Sequence, residues 1–229
     1  MTRLRVIDPV PVELDTAEFL QTLKGTTPRI GDELVPLMEE ARSILEPKAV
    51  YSFVRVVHLN DDQVHLENGH LLRSIVLGDT LEAGQEILPH VVTVGPKLEE
   101  RASQEKNLFR AYLLEKIADH ALEKACDYLK SYTGERLGPV ISAFSPGSGT
   151  GELFAIEQQE VLFSMLEPSK SVGVTLTSSC LMVPRKSVSG VFAATREEYV
   201  SCAYCPKHCE SRRRPYIGQY RRSRIASDR

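Results

Sequence analysis

An α+β fold with a mostly antiparallel sheet and long helices is what the sequence predicts, and two observations support this prediction. Segments with the apolar spacing of helices and segments rich in β-branched residues follow one another in an irregular order. Parallel βαβ winding would require regular alternation, so an antiparallel sheet is favoured. The chain of 229 residues is also long enough to bury a core without disulfides.

A short helix is predicted over residues 14–23, because Asp15 can cap its start and Pro28 lies beyond its end. Over residues 30–45, apolar side chains recur with the spacing of one helical face. Residues 1–29 are therefore interpreted as a segment appended to a main domain that begins at the second helix.

Strands are predicted next. Residues 49–59 are dense in valine, tyrosine and phenylalanine, which pack well on a pleated surface. Residues 87–94 form another apolar run, which ends at Gly95-Pro96. Two further short strands are predicted over residues 64–67 and 72–77. Asn68-Gly69 has the residues of a tight hairpin turn, so these strands are expected to form an antiparallel meander.

The strongest helical pattern lies over residues 108–132, after a short predicted helix over 98–103. Its apolar stripe consists of Leu113, Leu114, Ile117, Ala118, Ala121, Leu122, Ala125 and Leu129. Gly134 and Gly138 are expected to close this helix.

A glycine- and serine-rich segment over residues 140–151 follows the long helix and predicts a loop. After it, a compact helix is predicted over 157–166. The last predicted strands span residues 173–176, 180–183 and 187–194.

Composition and charge are those of a soluble globular protein, with 42% hydrophobic residues and a net charge of -3. No apolar stretch approaches the roughly 20 residues that span a bilayer, and the first fifteen residues carry no secretory apolar region. The protein is therefore expected in the cytoplasm, without a membrane partner.

The arginine-rich end of the chain contrasts with an acidic body. Tyr216 and Tyr220 are the only aromatic residues among these arginines, so nucleic-acid binding has little support. A tail that docks on an acidic partner and a plain solvated tail both fit this pattern.

Three cysteines crowd into one segment, at Cys202, Cys205 and Cys209, with His208 beside the last. Such a density of thiolates predicts a metal site, either zinc or an iron-sulfur cluster. Cys180 or Cys126 would then supply the fourth ligand through the fold. The order C-x2-C-x3-C reverses that of radical enzymes, and three unmetallated thiols are the alternative interpretation.

One region resembles a known family. Within residues 145–192, matching elements follow in order: Pro146-Gly147, Leu162 to Leu166, Leu176-Thr177, Met182, Pro184 and Ser187-Val188-Ser189-Gly190. This order resembles the activation domain of vitamin B12-dependent methionine synthase, in a free-standing form. A looser similarity extends the resemblance to residues 30–200, which leaves 201–229 as a cysteine-rich and arginine-rich tail.

The resemblance implies a function. In that family the domain binds S-adenosylmethionine and presents it to cobalamin whose cobalt has oxidised to Co(II), and reduction with methyl transfer restores methylcobalamin. Cobalamin would be carried by a partner, either a corrinoid-binding protein or a methionine synthase core subunit. The cofactor-binding residues implied here are Asp119, Ser145, Pro146, Gly147, Ser148, Ser187, Ser189 and Gly190.

Each of these residues also has a purely structural interpretation. The glycines of the loop can simply turn the chain, and Asp119 can belong to a solvated helix face. Ser187 and Ser189 can lie on one exposed edge while Val188 packs inward.

The chain departs from the family at two positions. The family loop has an arginine three residues before the proline and a tyrosine directly after the glycine, and this chain has Ala143 and Ser148 there. Neither side chain can replace a guanidinium group that pairs with a carboxylate, or an aromatic contact.

Three functions follow as hypotheses. The first is a free-standing activation module of a corrinoid methyltransferase system, acting in methionine synthesis. The second is a noncatalytic factor that docks on or assembles a corrinoid protein. The third, based on the cysteines alone, is a metal-dependent redox protein. The sequence has no P-loop and no HExxH motif, so kinase or zinc-protease activity has no support.

Overall fold

A computed structural model describes residues 3–23, 28–209 and 212–222. The helices are α1 (Thr16–Thr22), α2 (Pro28–Ile44), α3 (Ile75–Thr80), α4 (Lys97–Gln104), α5 (Leu108–Leu137), α6 (Gln159–Leu166) and α7 (Pro168–Ser171). The strands are β1 (Arg5–Ile7), β2 (Lys48–Tyr51), β3 (Val54–Asn60), β4 (Gln63–Leu66), β5 (Leu71–Arg73), β6 (Glu86–Thr93), β7 (Ile141–Phe144), β8 (Thr175–Leu176), β9 (Met182–Val183) and β10 (Ser187–Ala194). Short 3-10 helices span Ile156–Gln158 and Ser201–Tyr204.

The main sheet has eight strands. Six follow the order β1-β2-β6-β3-β4-β5, and β10 pairs with both β6 and β7. Every strand pair within the described residues is antiparallel, including the separate β8–β9 hairpin. The predicted α+β fold with a mostly antiparallel sheet is therefore confirmed.

The two faces of the sheet pack against different helices. Ile87 and Val91 of β6 share a core with Leu162 of α6. Leu88 and Val92 of the same strand share another core with the second half of α5. Successive side chains of a strand point to opposite sides of the sheet. We call the side of Ile87 and Val91 the α6 face and the side of Leu88 and Val92 the α5 face.

The long helix is confirmed and extends beyond its predicted end. All but one of the predicted stripe residues are buried, and Leu122 is partly buried. Gly134 lies inside the helix, where an added Cβ would sit 3.6 Å from Ile141 Cδ1. Gly138, with a φ of 138°, ends it instead, because this conformation favours glycine.

Three predictions of secondary structure are wrong. The single strand predicted over residues 49–59 is two strands, β2 and β3, which both pair with β6. The strand predicted over residues 72–77 is β5 followed by α3, because the Ser74 hydroxyl accepts from the Leu77 N–H and starts a helix. The segment predicted as a loop over 140–151 contains β7, which finds its partner in β10. β10 itself has the bounds that the sequence predicts.

Among the described residues, the structure contains no helix with the length and apolar character needed to cross a membrane.

Candidate functional site

Gly190 occupies the centre of the region that the sequence points to. It pairs with His90 across the β10–β6 ladder. A Cβ at this position would lie 2.6 Å from the Phe144 carbonyl oxygen and 3.0 Å from Ser145 Oγ. Glycine therefore allows the chain that leaves β7 to cross directly over β10, which fixes where the following loop begins.

The loop from Ser145 to Ser148 is held by backbone hydrogen bonds. Gly147 has a φ of 78° and its N–H donates to the Phe154 carbonyl at 2.8 Å. The Ser148 N–H donates to the Ser145 carbonyl at 3.1 Å, and Pro146 is buried. The Gly147 and Ser148 N–H groups are thus already paired with backbone carbonyls, which leaves the half-buried Ser145 and Ser148 side chains as accessible polar groups of the loop.

Ala143 lies on β7, opposite Phe192 of β10, and is exposed. The family arginine would project from this position. In this chain residue 143 has only a methyl side chain. β7 therefore provides no guanidinium group at this position that could pair with the carboxylate of a ligand.

Asp119 on α5 is paired inside the protein. Lys186 Nζ lies 2.6 Å from Asp119 Oδ1 and 2.7 Å from Glu115 Oε2. Burial acts to lower the pKa of Lys186, but the hydrogen bonds to Asp119 and Glu115 outweigh it and raise this pKa above its ordinary value. Burial likewise acts to raise the pKa of Glu115, and its contacts with Lys186 and Arg185 bring it below the ordinary range.

These groups lie at two ends of one surface. Lys186 directly precedes β10, and Gly190 follows four residues later, which corresponds to roughly 13 Å of extended strand. Val188, half-buried, points to the same α5 face between them. The structure therefore places Asp119 at one end of this surface and Ser145 at the other.

Ser187 and Ser189 point to the opposite side. Both are buried, which makes the predicted exposed edge with Val188 packed inward wrong. Ser187 Oγ lies 2.8 Å from the Pro184 carbonyl and Ser189 Oγ donates to Gln159 Oε1 at 3.1 Å. Ser189 thus bonds α6 and Ser187 bonds the segment before β10, because the strand alternation sends both side chains away from the α5 face.

His90 was not singled out by the sequence. It is buried on β6, its Nδ1–H donates to the Leu88 carbonyl at 3.2 Å, and its ring lies 4.0 Å from the Phe192 ring. Burial lowers the pKa of His90 to about 4, and the hydrogen bond to Leu88 opposes this only weakly. A histidine within the apolar run ILPHVVT was the available signal.

Arg212 organises the cysteine segment. Its guanidinium donates to the carbonyl of Cys202 at 2.7 Å and to that of Cys205 at 2.8 Å. Within the described residues, no three His, Cys, Asp or Glu side chains are grouped in a way that can hold a metal ion. The geometry therefore gives no support to zinc or an iron-sulfur cluster at Cys202, Cys205 and Cys209.

The two proposed fourth ligands lie elsewhere. Cys126 is on α5, where burial raises the pKa of its thiol to about 12. Cys180 is buried beside α6, with its Sγ 3.8 Å from Glu160 Oε1, and burial raises its pKa as well.

Aromatic rings attach the tail to the end of β7. The Tyr199 ring stacks on Phe144 with centroids 5.0 Å apart, and Tyr204 stacks on Tyr199 at 5.8 Å. Tyr220 packs edge-on against Tyr204, and its hydroxyl donates to Asp79 Oδ2 at 2.7 Å. The described part of the tail thus folds back on the domain.

An open cavity of about 820 Å³ lies between the C-terminal half of α5 and the start of β7. Its lining includes Asp127, Lys130, Gly138, Ile141 and Glu198. None of the residues that the sequence predicts for the site lines it.

Comparisons with known proteins give a match in sequence and a match in fold. Residues 145–208 match the family model of the vitamin B12 dependent methionine synthase, activation domain. A crystal structure of the MetH reactivation domain bound to AdoHcy has the same fold, with a TM-score of 0.63 and 16% sequence identity over 86% of this chain and 80% of that one. A comparison with curated proteins found no match. The chain thus resembles the activation domain in sequence over 145–208 and in fold over most of its length.

Proposed function

We propose that this protein is a free-standing activation module that acts on a separate corrinoid-binding protein in the cytoplasm. The match over residues 145–208 to the activation-domain family carries this proposal. The cobalamin would be held by the partner. An external one-electron donor would reduce Co(II) to Co(I), and the methyl group of S-adenosylmethionine would pass to the cobalt, leaving the thioether.

The residues of this chain would bind and orient the methyl donor. Ser145 and Ser148 offer hydroxyl groups at one end of the α5 face, and the Asp119 carboxylate lies at the other. A small molecule lying along the half-buried Val188 would contact both ends. Gly190 allows the loop to lie against β10. Because glycine has no side chain, it adds no atoms to the surface between Ser145 and Asp119.

A docking or assembly factor without methyl transfer is the second candidate. Three observations favour it: Ala143 offers no guanidinium, the Gly147 and Ser148 N–H groups already donate to backbone carbonyls, and Asp119 is paired with Lys186. In this case the activation fold would cover cobalamin on the partner while contributing no donor site.

A metal-dependent redox function is not carried forward, because the described cysteines do not converge on a metal position.

The test combines binding and turnover. The purified chain is mixed with a corrinoid protein carrying cob(II)alamin, association is measured by calorimetry, and formation of methylcobalamin is followed by absorption after adding S-adenosylmethionine and a low-potential reductant. Association with accelerated methylcobalamin formation supports the activation module. Association without acceleration supports the docking factor, and the lack of association overturns both.

Two variants separate binding from folding. Asp119→Asn is expected to weaken binding of the methyl donor and to cost less stability than the loss of a core residue, because Lys186 keeps its contact with Glu115 and half of the Asp119 side chain is exposed. Ile117→Ala, two residues earlier on α5 and fully buried, should cost about 2 to 5 kcal/mol of stability. Equal losses of stability in the two variants would show that Asp119 is structural.

A further inference from the structure

The ammonium group of Lys186 is buried where a ligand would meet the acidic end of the candidate site. Its side chain is 13% exposed, whereas that of Asp119 is 52% exposed. The contacts of 2.6 Å to Asp119 and 2.7 Å to Glu115 place one cation between two carboxylates. Lys186 therefore contacts Asp119 from the protein interior, and the other side of the Asp119 carboxylate faces solvent.

The charges around this pair are balanced among the described residues. From α5 itself, Lys116 Nζ lies 3.9 Å from Asp119 Oδ2. From the segment before β10, Arg185 contacts Glu115 at 3.1 Å and Glu99 of α4 at 2.6 Å. Three cations thus match the three carboxylates of Glu99, Glu115 and Asp119. No unmatched negative charge remains in this group to attract a cationic ligand.

We propose that Lys186 is a built-in counter-ion that neutralises Asp119 and makes the site indifferent to the positive charge of its ligand. The site would then accept an adenosyl thioether as readily as an adenosyl sulfonium. Lys186 acts through Asp119 and is a positioning residue. This inference rests on the proposed function for the location of the ligand, and it adds the charge class that the site selects.

The lysine cannot easily be displaced by the ligand. Leaving its position would strip a mostly buried ammonium of two carboxylates and would leave Glu115 with Arg185 alone. A buried ion is retained by its hydrogen-bonded partners, since the alternative is an unpaired charge with little water around it. The raised pKa of Lys186 agrees with a lysine that stays charged in this position.

The experiment measures the affinities of S-adenosylmethionine and S-adenosylhomocysteine for the purified full chain by calorimetry. The wild type is expected to bind the two with affinities within about threefold of each other. In Lys186→Met the freed carboxylate can make a charge-assisted contact, so the ratio should shift toward the sulfonium by about tenfold or more. A general loss of structure would weaken both ligands and would not produce this shift.

Matched controls separate the effect from a simple loss of charge. Lys116→Met removes a lysine from the same carboxylate, but one that is 39% exposed and 3.9 Å away, so its affinity ratio should stay at the wild-type value. Lys186→Arg keeps a cation and should restore that value. If Lys186→Met does not fold, the double variant Lys186→Met with Glu115→Gln removes one charge of each sign and still frees Asp119.

The inference is overturned if the freed Asp119 leaves the ratio unchanged, or if neither ligand binds a folded variant that lacks Lys186. It also fails if the wild type already prefers the sulfonium tenfold. If the wild type binds neither ligand measurably, the inference is supported when Lys186→Met binds S-adenosylmethionine and is overturned when it does not. These outcomes are separate from the proposed function, which depends on association of the wild type with a corrinoid protein.

Discussion

The crossing of β7 over β10 and the cysteine segment at residues 201–209 differ in what holds them together. At the crossing, Gly190, Pro146 and the buried Phe144 pack the backbone directly against the sheet. The cysteine segment is held by the guanidinium of Arg212 and by stacked tyrosine rings. Close packing fixes the first region, while a few directional contacts fix the second.

The difference explains why the family resemblance gained support and the metal-site prediction gained none. Glycine and proline constrain the backbone itself, so their order carries information about the fold. Cysteines constrain nothing unless their thiols converge, and in the described residues they do not. Four predictions test this contrast, from the largest expected effect to the smallest.

The largest effect concerns pH and the packed region. Because burial lowers the pKa of His90 from 6.5 to about 4, the unfolded state binds the proton more tightly than the folded state. Stability is therefore complete above pH 6.5 and is lost as the pH falls toward 4, by about 3 kcal/mol. His90→Phe should remove most of this loss, as measured by denaturant unfolding at pH 7 and pH 4.5.

The control for this prediction comes from the cysteine segment. His208 is exposed, and His208→Phe should keep the pH dependence that His90 imposes. An unchanged dependence in His90→Phe would mean that other groups cause it.

Overpacking of the crossing should have the next largest effect. Gly190→Ala places a Cβ 2.6 Å from the Phe144 carbonyl oxygen, so the crossing chain must move, at a cost of about 2 to 3 kcal/mol. Gly134→Ala is the matched control, since its Cβ would make an ordinary 3.6 Å contact inside α5. That change should be neutral or stabilise by up to about 1 kcal/mol. Comparable losses of stability in both variants would show that the crossing is not tightly packed.

Loss of Arg212 should affect the cysteine segment more than the rest of the molecule. Arg212→Met is expected to cost about 1 to 2 kcal/mol and to speed the reaction of Cys202 and Cys205 with a thiol reagent. Arg213→Met removes an exposed ion pair to Glu123 and should cost less than about 0.5 kcal/mol. Equal thiol reactivity in the two variants would mean that Arg212 does not hold the segment.

The smallest effect is expected for the thiols themselves. Cys205→Ser should change stability by less than about 0.5 kcal/mol and leave the metal content of anaerobically purified protein unchanged. Iron, zinc and sulfide are measured together with an absorption spectrum. Stoichiometric metal that disappears in the variant would show that the segment rearranges around an ion and would restore the metal-site interpretation.

Local patterns allowed much of the fold to be predicted. The apolar stripe of α5 and the strand β10 were found from periodicity, and Gly190 with the loop at Ser145 was found from a resemblance in sequence. The errors at α3 and β7 arose where a short segment takes its structure from a cap or from a distant strand.

The sequence by itself determined the α+β class, the long helix and the family resemblance, because apolar spacing and the positions of glycine and proline act on the nearby backbone. The tertiary structure alone decided that Lys186 pairs with Asp119, that Ser189 bonds α6, and that Arg212 organises the cysteine segment. These outcomes depend on which side chains meet across elements distant in sequence. A sequence pattern shows which charges and thiols are present, whereas burial and pairing determine what they do.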